Sequence, residues 1–328
     1  MRAIVIKQPG GPEVLTLEQV SDPVPGKNEA LVRVKATAVN RADVLQRMGH
    51  YPSPPDTPPD IPGLEFAGTV EELGPGVSEF AVGDKVFGVA SGGTYADYVV
   101  VHSRCLSRMP VNLSFVEAAS IPEVFITAYD AMITQCNLVS GESVLIHAVG
   151  SGVGVAALQI AKMLGCNTIG TARSNDKLEA AKKYGLDHGI LVRDSKFAEQ
   201  VKGITGGAGV DHVIDLVGGS YVGEDVLAAA LKGRIIVVGL VAGLHSDVDF
   251  GQVLRKRLTM KGTTLRMRPI EEKIIAARLL QQNIVPLFEK GILKPVIDKI
   301  LPLSAAAEAH EHMDQNLNFG KIVLEISK

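Results

Sequence analysis

The sequence predicts an α/β protein in which a doubly wound parallel-sheet domain is inserted into a mainly β domain. Its 328 residues exceed what one hydrophobic core usually organises. From about Ser143 to about residue 265, short apolar runs alternate with helical patterns, as in βαβ units. The runs before and after this stretch are short, strand-like and broken by glycine and proline. We therefore assign residues 1–123 and 266–328 to one domain and 124–265 to the other.

The composition is that of a globular protein that binds a small molecule. Hydrophobic residues make up 46% and charged residues 21% of the chain, which excludes a disordered or fibrous protein. A net charge of -3 offers no basic surplus for nucleic acid or an anionic membrane. Cys105, Cys136 and Cys166 are too widely spaced for a disulfide framework or a structural zinc, which indicates a reducing compartment. The first residues, MRAIVIKQPGG, lack a signal-peptide pattern, so we expect a cytoplasmic protein.

The first hundred residues predict an antiparallel β domain. Alternating or apolar runs occur there as AIVI, LTLEQV, EALVRVKATAV, EFAGTVEEL, DKVFGV and TYADYVVVH. Between them, HYPSPPDTPPDIPG (residues 50–63) holds too many prolines for a central strand or a helix, and is expected to be a stiff, exposed loop. The late runs KPVIDKILP and KIVLEI have the same character, so we place them in this domain.

The stretch HAVGSGVG is the candidate dinucleotide-binding turn. A phosphate group needs backbone N–H groups free of side chains at the positive N-terminus of a helix. The template G-x-G-x-x-G/A fits when it starts at Gly152, but that frame begins well past the preceding strand. A frame made of Ala148, Ser151 and Gly154 begins directly after the strand and is preferred. The alternative is a buried glycine-rich crossover that binds nothing.

The motif A-x-x-S-G-V-G followed by ALQIAK resembles the A-x-x-G-G-V-G turn of zinc-less quinone oxidoreductases in the medium-chain dehydrogenase/reductase superfamily. Seven further segments are similar to that family in the same order: KQPGGPEVL, NRADVLQRMGHYP, IPGLEFAGTV, GVSEFAVGDKV, EAASIPEVFITAYDAM, IDLVGGSY and GKIVLEI. The resemblance spans essentially the whole chain. Because Ser151 replaces a family glycine, the match looks closest to the p53-inducible quinone oxidoreductase subgroup, and a hydroxyl is added to the turn.

The resemblance implies a Rossmann-type NADPH-binding domain inserted into a GroES-like catalytic domain, with the reaction in a cleft between them. Near the nicotinamide and substrate it implies Asn40, Asp43, Tyr51 and Thr127, with Asn40 ranked above Asp43, which is alternatively structural. The residues expected to bind the cofactor are Thr127, Ala148, Ser151, Gly152, Val153, Gly154, Arg173, Ser174, Lys177, Gly239 and Lys321.

The residues after the strand NTIGTA favour NADPH over NADH. An acidic residue about 20 positions beyond the glycines would bind the adenosine ribose and reject a 2′-phosphate, and none is present. Arg173, Ser174 and Lys177 stand there instead and suit charge-assisted contacts with that phosphate. Ser and Lys in this turn are also similar to relatives that use NADPH. The alternative is an ordinary solvated helix start, with Asp176 offsetting part of the charge.

The positions that match the catalytic zinc ligands of related alcohol dehydrogenases are Asn40, Leu64 and Glu123. A leucine has no donor atom, and a zinc site needs about three N, S or O ligands together, so we expect no metal. We expect His147 to be a core residue at a strand end, and His310 and His312 to lie on a solvated helix face.

A hydride acceptor that needs no Lewis acid is already electrophilic, and quinones meet this condition best. We therefore expect NADPH-dependent quinone reduction, with ortho-quinones favoured. Tyr51 is expected to donate a hydrogen bond or a proton to the developing oxyanion, or else only to pack its loop. Alternatives are a 2-alkenal or enoyl reductase, or a non-catalytic crystallin-like or RNA-binding role. We also expect a homodimer that joins nucleotide-domain sheets near RIIVVGL and RLTMKGTTL, because these runs would otherwise leave an apolar edge exposed.

Overall fold

A computed structural model describes residues 1–55 and 57–327. The strands, in chain order, are β1 (Arg2–Ile6), β2 (Leu15–Gln19), β3 (Glu29–Val39), β4 (Glu65–Leu73), β5 (Lys85–Val89), β6 (Tyr98–His102), β7 (Leu106–Arg108), β8 (Ser143–Ile146), β9 (Asn167–Ala172), β10 (His188–Leu191), β11 (Val210–Asp215), β12 (Ala229–Val237), β13 (Thr259–Gly262), β14 (Ile297–Pro302) and β15 (Lys321–Glu325).

The α-helices are α1 (Arg41–Arg47), α2 (Phe115–Ala119), α3 (Pro122–Tyr129), α4 (Gly152–Met163), α5 (Asn175–Lys182), α6 (Ala198–Ile204), α7 (Ser220–Ala228), α8 (Phe250–Lys256), α9 (Ile270–Leu279), α10 (Val285–Glu289) and α11 (Ala306–Asp314). Short π-helical stretches, Asp130–Gln135 and Leu280–Ile284, follow α3 and α9.

The chain forms two compact units, Met1–Ile126 with Leu265–Lys328, and Thr127–Thr264. The first unit is mainly β and the second alternates strands with helices, which confirms the predicted fold class. We call them the GroES-like unit and the nucleotide-binding unit.

The GroES-like unit is built on a seven-stranded sheet in the order β14-β15-β3-β4-β5-β7, with β6 also paired to β3. The central strand β3 is antiparallel to β4 and to β15, so the last strand of the chain lies beside an early one. Successive side chains of a strand point to opposite faces, so Val32 and Val34, two residues apart, share a face and enter a core that also holds Phe66 and Ile322. The C-terminal strands β14 and β15 thus pair within the sheet of this unit.

The end of β3 sets the position of the first polar group of the site. Asn40 follows the last residue of β3 in extended conformation and is the residue before the first turn of α1. The Asp43 carboxylate accepts a hydrogen bond from the Asn40 backbone N–H at 2.8 Å, which satisfies a donor that the helix start leaves open. The local sequence N-R-A-D therefore fixes Asn40 and Asp43 at the junction between the end of β3 and the start of α1.

The nucleotide-binding unit has a six-stranded parallel sheet in the order β10-β9-β8-β11-β12-β13. This is the doubly wound order, in which the chain reverses direction across the sheet between β8 and β11. Ligands of such sheets bind outside the carboxyl ends of the strands at that switch point. The glycine-rich turn follows β8 and therefore lies at this switch point.

None of the helices in residues 1–55 and 57–327 has the length and apolar character that a membrane crossing requires.

Candidate active site

The turn between β8 and α4 is shaped by backbone geometry. Ala148 adopts a positive φ of 48°, and the Gly154 N–H donates to the Ser151 hydroxyl at 3.1 Å, so Ser151 caps α4. A Cβ on Gly154 would lie 2.5 Å from the Ala148 carbonyl oxygen, so only glycine fits there without a shift of the backbone. These three positions are those of the preferred sequence frame.

The first two N–H groups of α4 point to an anion site. Within the described part of the chain, no hydrogen-bond partner is found for the N–H of Gly152 or Val153. Ser151 is only partly buried, and because its oxygen accepts from Gly154, its own hydrogen remains available to a ligand. Two free N–H groups and one hydroxyl at a helix N-terminus are the donor set that binds a phosphate.

The end of β9 presents the three residues expected beside a 2′-phosphate. Arg173 is exposed, Ser174 is the residue before α5, and Lys177 lies in the first turn of that helix and is half-buried. The Ser174 hydroxyl does not cap the helix, unlike that of Ser151. Asp176 is exposed in the same turn, as the alternative of a solvated helix start requires.

Two further predicted residues belong to the nucleotide-binding unit, Gly239 and Thr127. Gly239 follows β12, and a Cβ there would lie 2.5 Å from the Leu216 carbonyl oxygen. The glycine therefore allows the loops after β11 and β12 to approach closely. Thr127 lies on α3 and is half-buried.

A buried ion pair organises the polar groups of the GroES-like unit. The Lys321 ammonium lies 2.8 Å from Glu65 Oε1 and donates to Asn40 Oδ1 and to the Val39 carbonyl oxygen, both at 2.7 Å. Asn40 Nδ2 donates to Glu65 Oε1 at 2.9 Å and to the Ala38 carbonyl oxygen at 3.2 Å. Glu65 is fully buried, and Lys321 is only 3% exposed.

This arrangement changes the expected roles of Asn40 and Lys321. Both amide hydrogens of Asn40 and all three ammonium hydrogens of Lys321 are already directed at protein acceptors. Neither side chain has a hydrogen left for a substrate or a cofactor, so each is better suited to support the site than to contact a ligand through a donated hydrogen bond.

Asp43 lies in a second buried chain of hydrogen bonds. Its Oδ2 accepts from the Tyr95 hydroxyl at 3.1 Å as well as from Asn40, and it is fully buried. Burial raises the pKa of Asp43 to about 6, partly offset by the hydrogen bond from Asn40. The Tyr95 hydroxyl also lies 3.2 Å from His310 Nε2, and His310 Nδ1 lies 3.4 Å from Arg47. These contacts favour the structural alternative for Asp43.

The expectation of a solvated helix face at His310 and His312 is wrong for His310. Its ring is fully buried, and burial lowers its pKa to about 3. Since Arg47 has only donors, His310 Nδ1 accepts, and Nε2–H faces Tyr95. His312 is mostly buried too and bonds Asp298 at 2.7 Å.

Tyr51 stands on the proline-rich loop and is held there by Arg266. The Arg266 guanidinium lies 5.3 Å from the centre of the Tyr51 ring and donates to the Tyr51 carbonyl oxygen at 3.3 Å. It also donates to Ser53 Oγ at 2.8 Å and to Gln46 Oε1 at 2.7 Å. Tyr51 is half-buried, and no hydrogen bond of its hydroxyl is found among the described residues. Its phenol is therefore a positioned donor.

The residues at the family's zinc-ligand positions do not fit a zinc ion. Leu64 is 2% exposed and offers no donor atom, and the Asn40 oxygen already accepts from Lys321. Glu123 is partly exposed, and its backbone N–H donates to Glu65 Oε2 at 2.9 Å. One carboxyl group does not make a zinc site, which needs about three ligands.

A second cluster of ionisable groups is buried in the nucleotide-binding unit. His147 is fully buried at the end of β8, as expected, with Nε2 2.7 Å from Asp225 Oδ1 and Nδ1 2.8 Å from Thr171 Oγ1. Asp215 accepts from the N–H groups of Val217 and Gly218. Burial lowers the pKa of His147 to about 4, raises that of Asp215 to about 6 and raises that of Asp225 well above its usual value.

Sequence reasoning missed Glu65, Arg266, Asp215 and Asp225 as members of these clusters. A signal for Glu65 was present, because a charged residue stands next to the buried apolar run of β4. The partners of all four residues come from other strands and helices, so no spacing along the chain revealed them.

Comparison with known proteins identifies the family. Residues 26–111 match the alcohol dehydrogenase GroES-like domain, and residues 152–282 match the zinc-binding dehydrogenase family. The quinone oxidoreductase of Lama guanicoe is 33% identical over 327 residues, 99% of this chain and 97% of that protein. Among solved structures, an NAD-dependent alcohol dehydrogenase is 36% identical with a TM-score of 0.88, covering 100% of both chains. The Escherichia coli quinone oxidoreductase complexed with NADPH is 29% identical with a TM-score of 0.89, covering 99% of this chain and 100% of that one.

The full-length match to quinone oxidoreductases confirms the resemblance of the motifs. The chain therefore belongs to the quinone oxidoreductase family of the medium-chain dehydrogenase/reductase superfamily.

Proposed function

We propose that this protein reduces quinones by hydride transfer from NADPH, without a metal and with ortho-quinones favoured. The observation that carries the proposal is the site around Asn40, where Leu64 and a Lys321–Glu65 ion pair take the place of a zinc-ligand set. A carbonyl that no metal polarises must be electrophilic by itself, and quinones are. Relatives described as quinone oxidoreductases along essentially the whole chain support this acceptor class.

The nucleotide-binding unit holds the cofactor in this proposal, and NADPH supplies the hydride when bound. The N–H groups of Gly152 and Val153 and the hydroxyl of Ser151 bind the pyrophosphate at the start of α4. Arg173, Ser174 and Lys177 bind the 2′-phosphate. The bound NADPH of the Escherichia coli relative supports this choice, while the NAD-dependent relative makes it worth a direct test.

Tyr51 stabilises the oxygen on which negative charge develops. Arg266 holds its ring and its loop, so the hydroxyl is oriented before the substrate arrives. An ortho-quinone presents two adjacent carbonyl groups, and one donor can serve the charge shared between them. This is the basis of the proposed preference for ortho-quinones.

Reduction of a 2-alkenal or an enoyl thioester is the competing proposal, since the fold and cofactor would serve it equally. The test is turnover of an ortho-quinone, a para-quinone, a 2-alkenal and an enoyl thioester by the purified protein at saturating NADPH. We expect turnover of quinones, with the ortho-quinone fastest. Brisk turnover of the enal or thioester with no quinone reduction would overturn the assignment.

We further propose a homodimer formed through the nucleotide-binding unit. Strand β13 is an edge strand of the parallel sheet, and its unpaired side is a template for another strand. On the adjoining helix α8, Phe250 and Leu254 are 71% and 77% exposed and lie one turn apart. Sedimentation that finds only a 34.8 kDa species at micromolar concentration would contradict the dimer.

A further inference from the structure

Glu123 differs from the other carboxyl groups of the GroES-like unit. Asp43 and Glu65 are fully buried, and their oxygens accept hydrogen bonds from Asn40, Tyr95 and Glu123. Glu123 lies in the first turn of α3 and is partly exposed. No hydrogen bond of its carboxyl group is found among residues 1–55 and 57–327. It is thus the member of this group that solvent or a ligand can reach.

Glu65 fixes Glu123 beside Asn40. One Glu65 oxygen accepts from the Asn40 amide at 2.9 Å, and the other accepts from the Glu123 backbone N–H at 2.9 Å. The buried Glu65 carboxylate therefore sets the position of the Asn40 amide and of the start of α3. Because its backbone N–H is held by Glu65, the Glu123 side chain begins at a fixed point beside this polar cluster.

Burial and the neighbouring carboxylates favour the protonated form of Glu123. Burial is the main cause and the nearby Glu65 and Asp43 carboxylates add to it, whereas Lys321 and Arg266 act in the opposite direction. Lys273 on α9 also faces the carboxyl group. Burial outweighs these cations and raises the pKa of Glu123 to about 8, so it carries a proton at neutral pH.

We propose that Glu123 is the proton donor of the reaction, a role that rests on the proposed quinone reduction. A quinone that receives a hydride needs one proton to become the hydroquinone: quinone, NADPH and H⁺ give hydroquinone and NADP⁺. The O–H bond of Glu123 breaks, a new O–H bond forms on the reduced oxygen, and the Glu123 carboxylate regains its proton from solvent.

The neighbouring side chains are less suited to this step. Asn40 and Lys321 have every hydrogen engaged, and Asp43 is sealed from solvent. The Tyr51 hydroxyl is a phenol, the same functional group as in the hydroquinone product, so transfer of its proton to the reduced oxygen would gain little free energy. An acid with a pKa near the working pH transfers its proton more favourably and is recharged more readily. Tyr51 then orients the oxygen, and Glu123 gives the proton.

The pH dependence of turnover tests the proposal. Because the acid must be protonated, kcat/KM of the natural protein should be constant below pH 7 and fall as the pH rises through about 8. Glu123→Gln keeps the shape but has no acidic proton, so kcat should drop by about 100-fold and the fall near pH 8 should disappear. Glu72→Gln, an exposed site on β4, is the matched control and should leave both unchanged.

Glu123→Asp keeps the acid on a shorter side chain and guards against a misfolded glutamine variant. In this variant kcat/KM should still fall at alkaline pH, but the midpoint of the fall should lie at a different pH. A fall that stays at the same pH in both variants would overturn the proposal, even if the rate decreased, because another group would then be titrating.

Infrared difference spectra of the protein without substrate give a readout independent of turnover. The natural protein should show a carboxylic acid C=O band that is lost near pH 8, and Glu123→Gln should lack it. Absence of this band from the natural protein would also overturn the proposal. If the natural protein reduces no quinone, the proposed function itself fails, and the infrared titration still reports the acid separately.

Discussion

The two units each bury a cluster of ionisable side chains, and the clusters are balanced in different ways. In the GroES-like unit the Glu65 carboxylate faces the Lys321 ammonium, and each polar atom of the pair has a partner. In the nucleotide-binding unit His147, Asp215 and Asp225 have donor and acceptor atoms within 4.8 Å of one another, and Asp215 Oδ2 and Asp225 Oδ2 have no partner among the described residues.

The two clusters differ in how the negative charge of their carboxyl groups is balanced. In the first cluster the Lys321 ammonium lies in contact with Glu65 and balances its charge, which holds the Asn40 region in one geometry. Among the described residues no lysine or arginine forms an ion pair with the His147 cluster, and burial raises the pKa of Asp215 and Asp225, which favours protons on these carboxyl groups. The first cluster should thus respond mainly to loss of a side chain, and the second mainly to pH.

The largest expected effect is that of Lys321→Met. Removing the ammonium leaves Glu65 buried without its cation, which should lower the free energy of unfolding by about 3–5 kcal/mol. Urea unfolding measures it, and Lys27→Met, at an exposed lysine, is the control. A loss below about 1 kcal/mol would show that the pair does not organise the site.

Gly154→Ala tests the backbone-shaped turn of the other unit. The added Cβ would lie 2.5 Å from the Ala148 carbonyl oxygen and 2.8 Å from the Val149 Cα, so the cost should be about 1–3 kcal/mol of stability, with weaker NADPH binding. Gly203→Ala on α6 is matched, since nothing lies within 4 Å of its added Cβ, and it should be neutral or stabilising. Similar results for the two variants would remove the steric explanation.

Tyr51→Phe removes a hydroxyl from the GroES-like unit without changing its buried ion pair. If the phenol stabilises the transition state, kcat should fall by about 10- to 100-fold with little change in NADPH binding. Tyr98→Phe on β6 is the control for loss of a tyrosine hydroxyl. A change of less than about twofold would leave Tyr51 as a packing residue and leave the proposed function intact.

Asp225→Asn should change the response of the second cluster to pH. The pKa of Asp225 is raised by burial, so the folded protein keeps a proton that the unfolded chain has released above about pH 4. That costs stability as the pH rises, by up to about 1.4 kcal/mol per pH unit until the folded group ionises. The variant should therefore gain stability relative to the natural protein between pH 5 and pH 7. Asp247→Asn, at an exposed position, should show no such trend.

Lys177→Ala is expected to have the smallest effect, confined to cofactor choice. Loss of one charge-assisted contact should raise the KM for NADPH by about tenfold and leave the KM for NADH nearly unchanged. Lys183→Ala, at the other end of α5, controls for the loss of a surface charge. Equal changes for NADPH and NADH would refute a 2′-phosphate contact at Lys177.

Local sequence patterns were sufficient to predict most strands and helices and the turn between β8 and α4. The alternation of β3 and the βαβ rhythm after Ser143 predicted the fold class, and the frame of Ala148, Ser151 and Gly154 matches the turn that the structure has. The error at His310 was avoidable. His310 lies four residues after Ala306 and three before Met313, both buried, so helical periodicity already placed its ring on the inner face of α11.

The sequence alone determined which chemistry the protein has available: a glycine turn for a phosphate, cations where an acidic residue would exclude a 2′-phosphate, and a leucine where zinc needs a ligand. These are local or single-position properties, because a turn or a missing donor atom is set by the residue itself. Only the tertiary structure decided which side chains remain free to act. Lys321 and Glu65 meet because β15 pairs with β3 and β3 pairs with β4. That contact engages the Asn40 side chain, while the Glu123 carboxyl has no hydrogen-bond partner among residues 1–55 and 57–327. Hydrogen bonds and desolvation depend on neighbours that are distant along the chain, so local sequence could not show this.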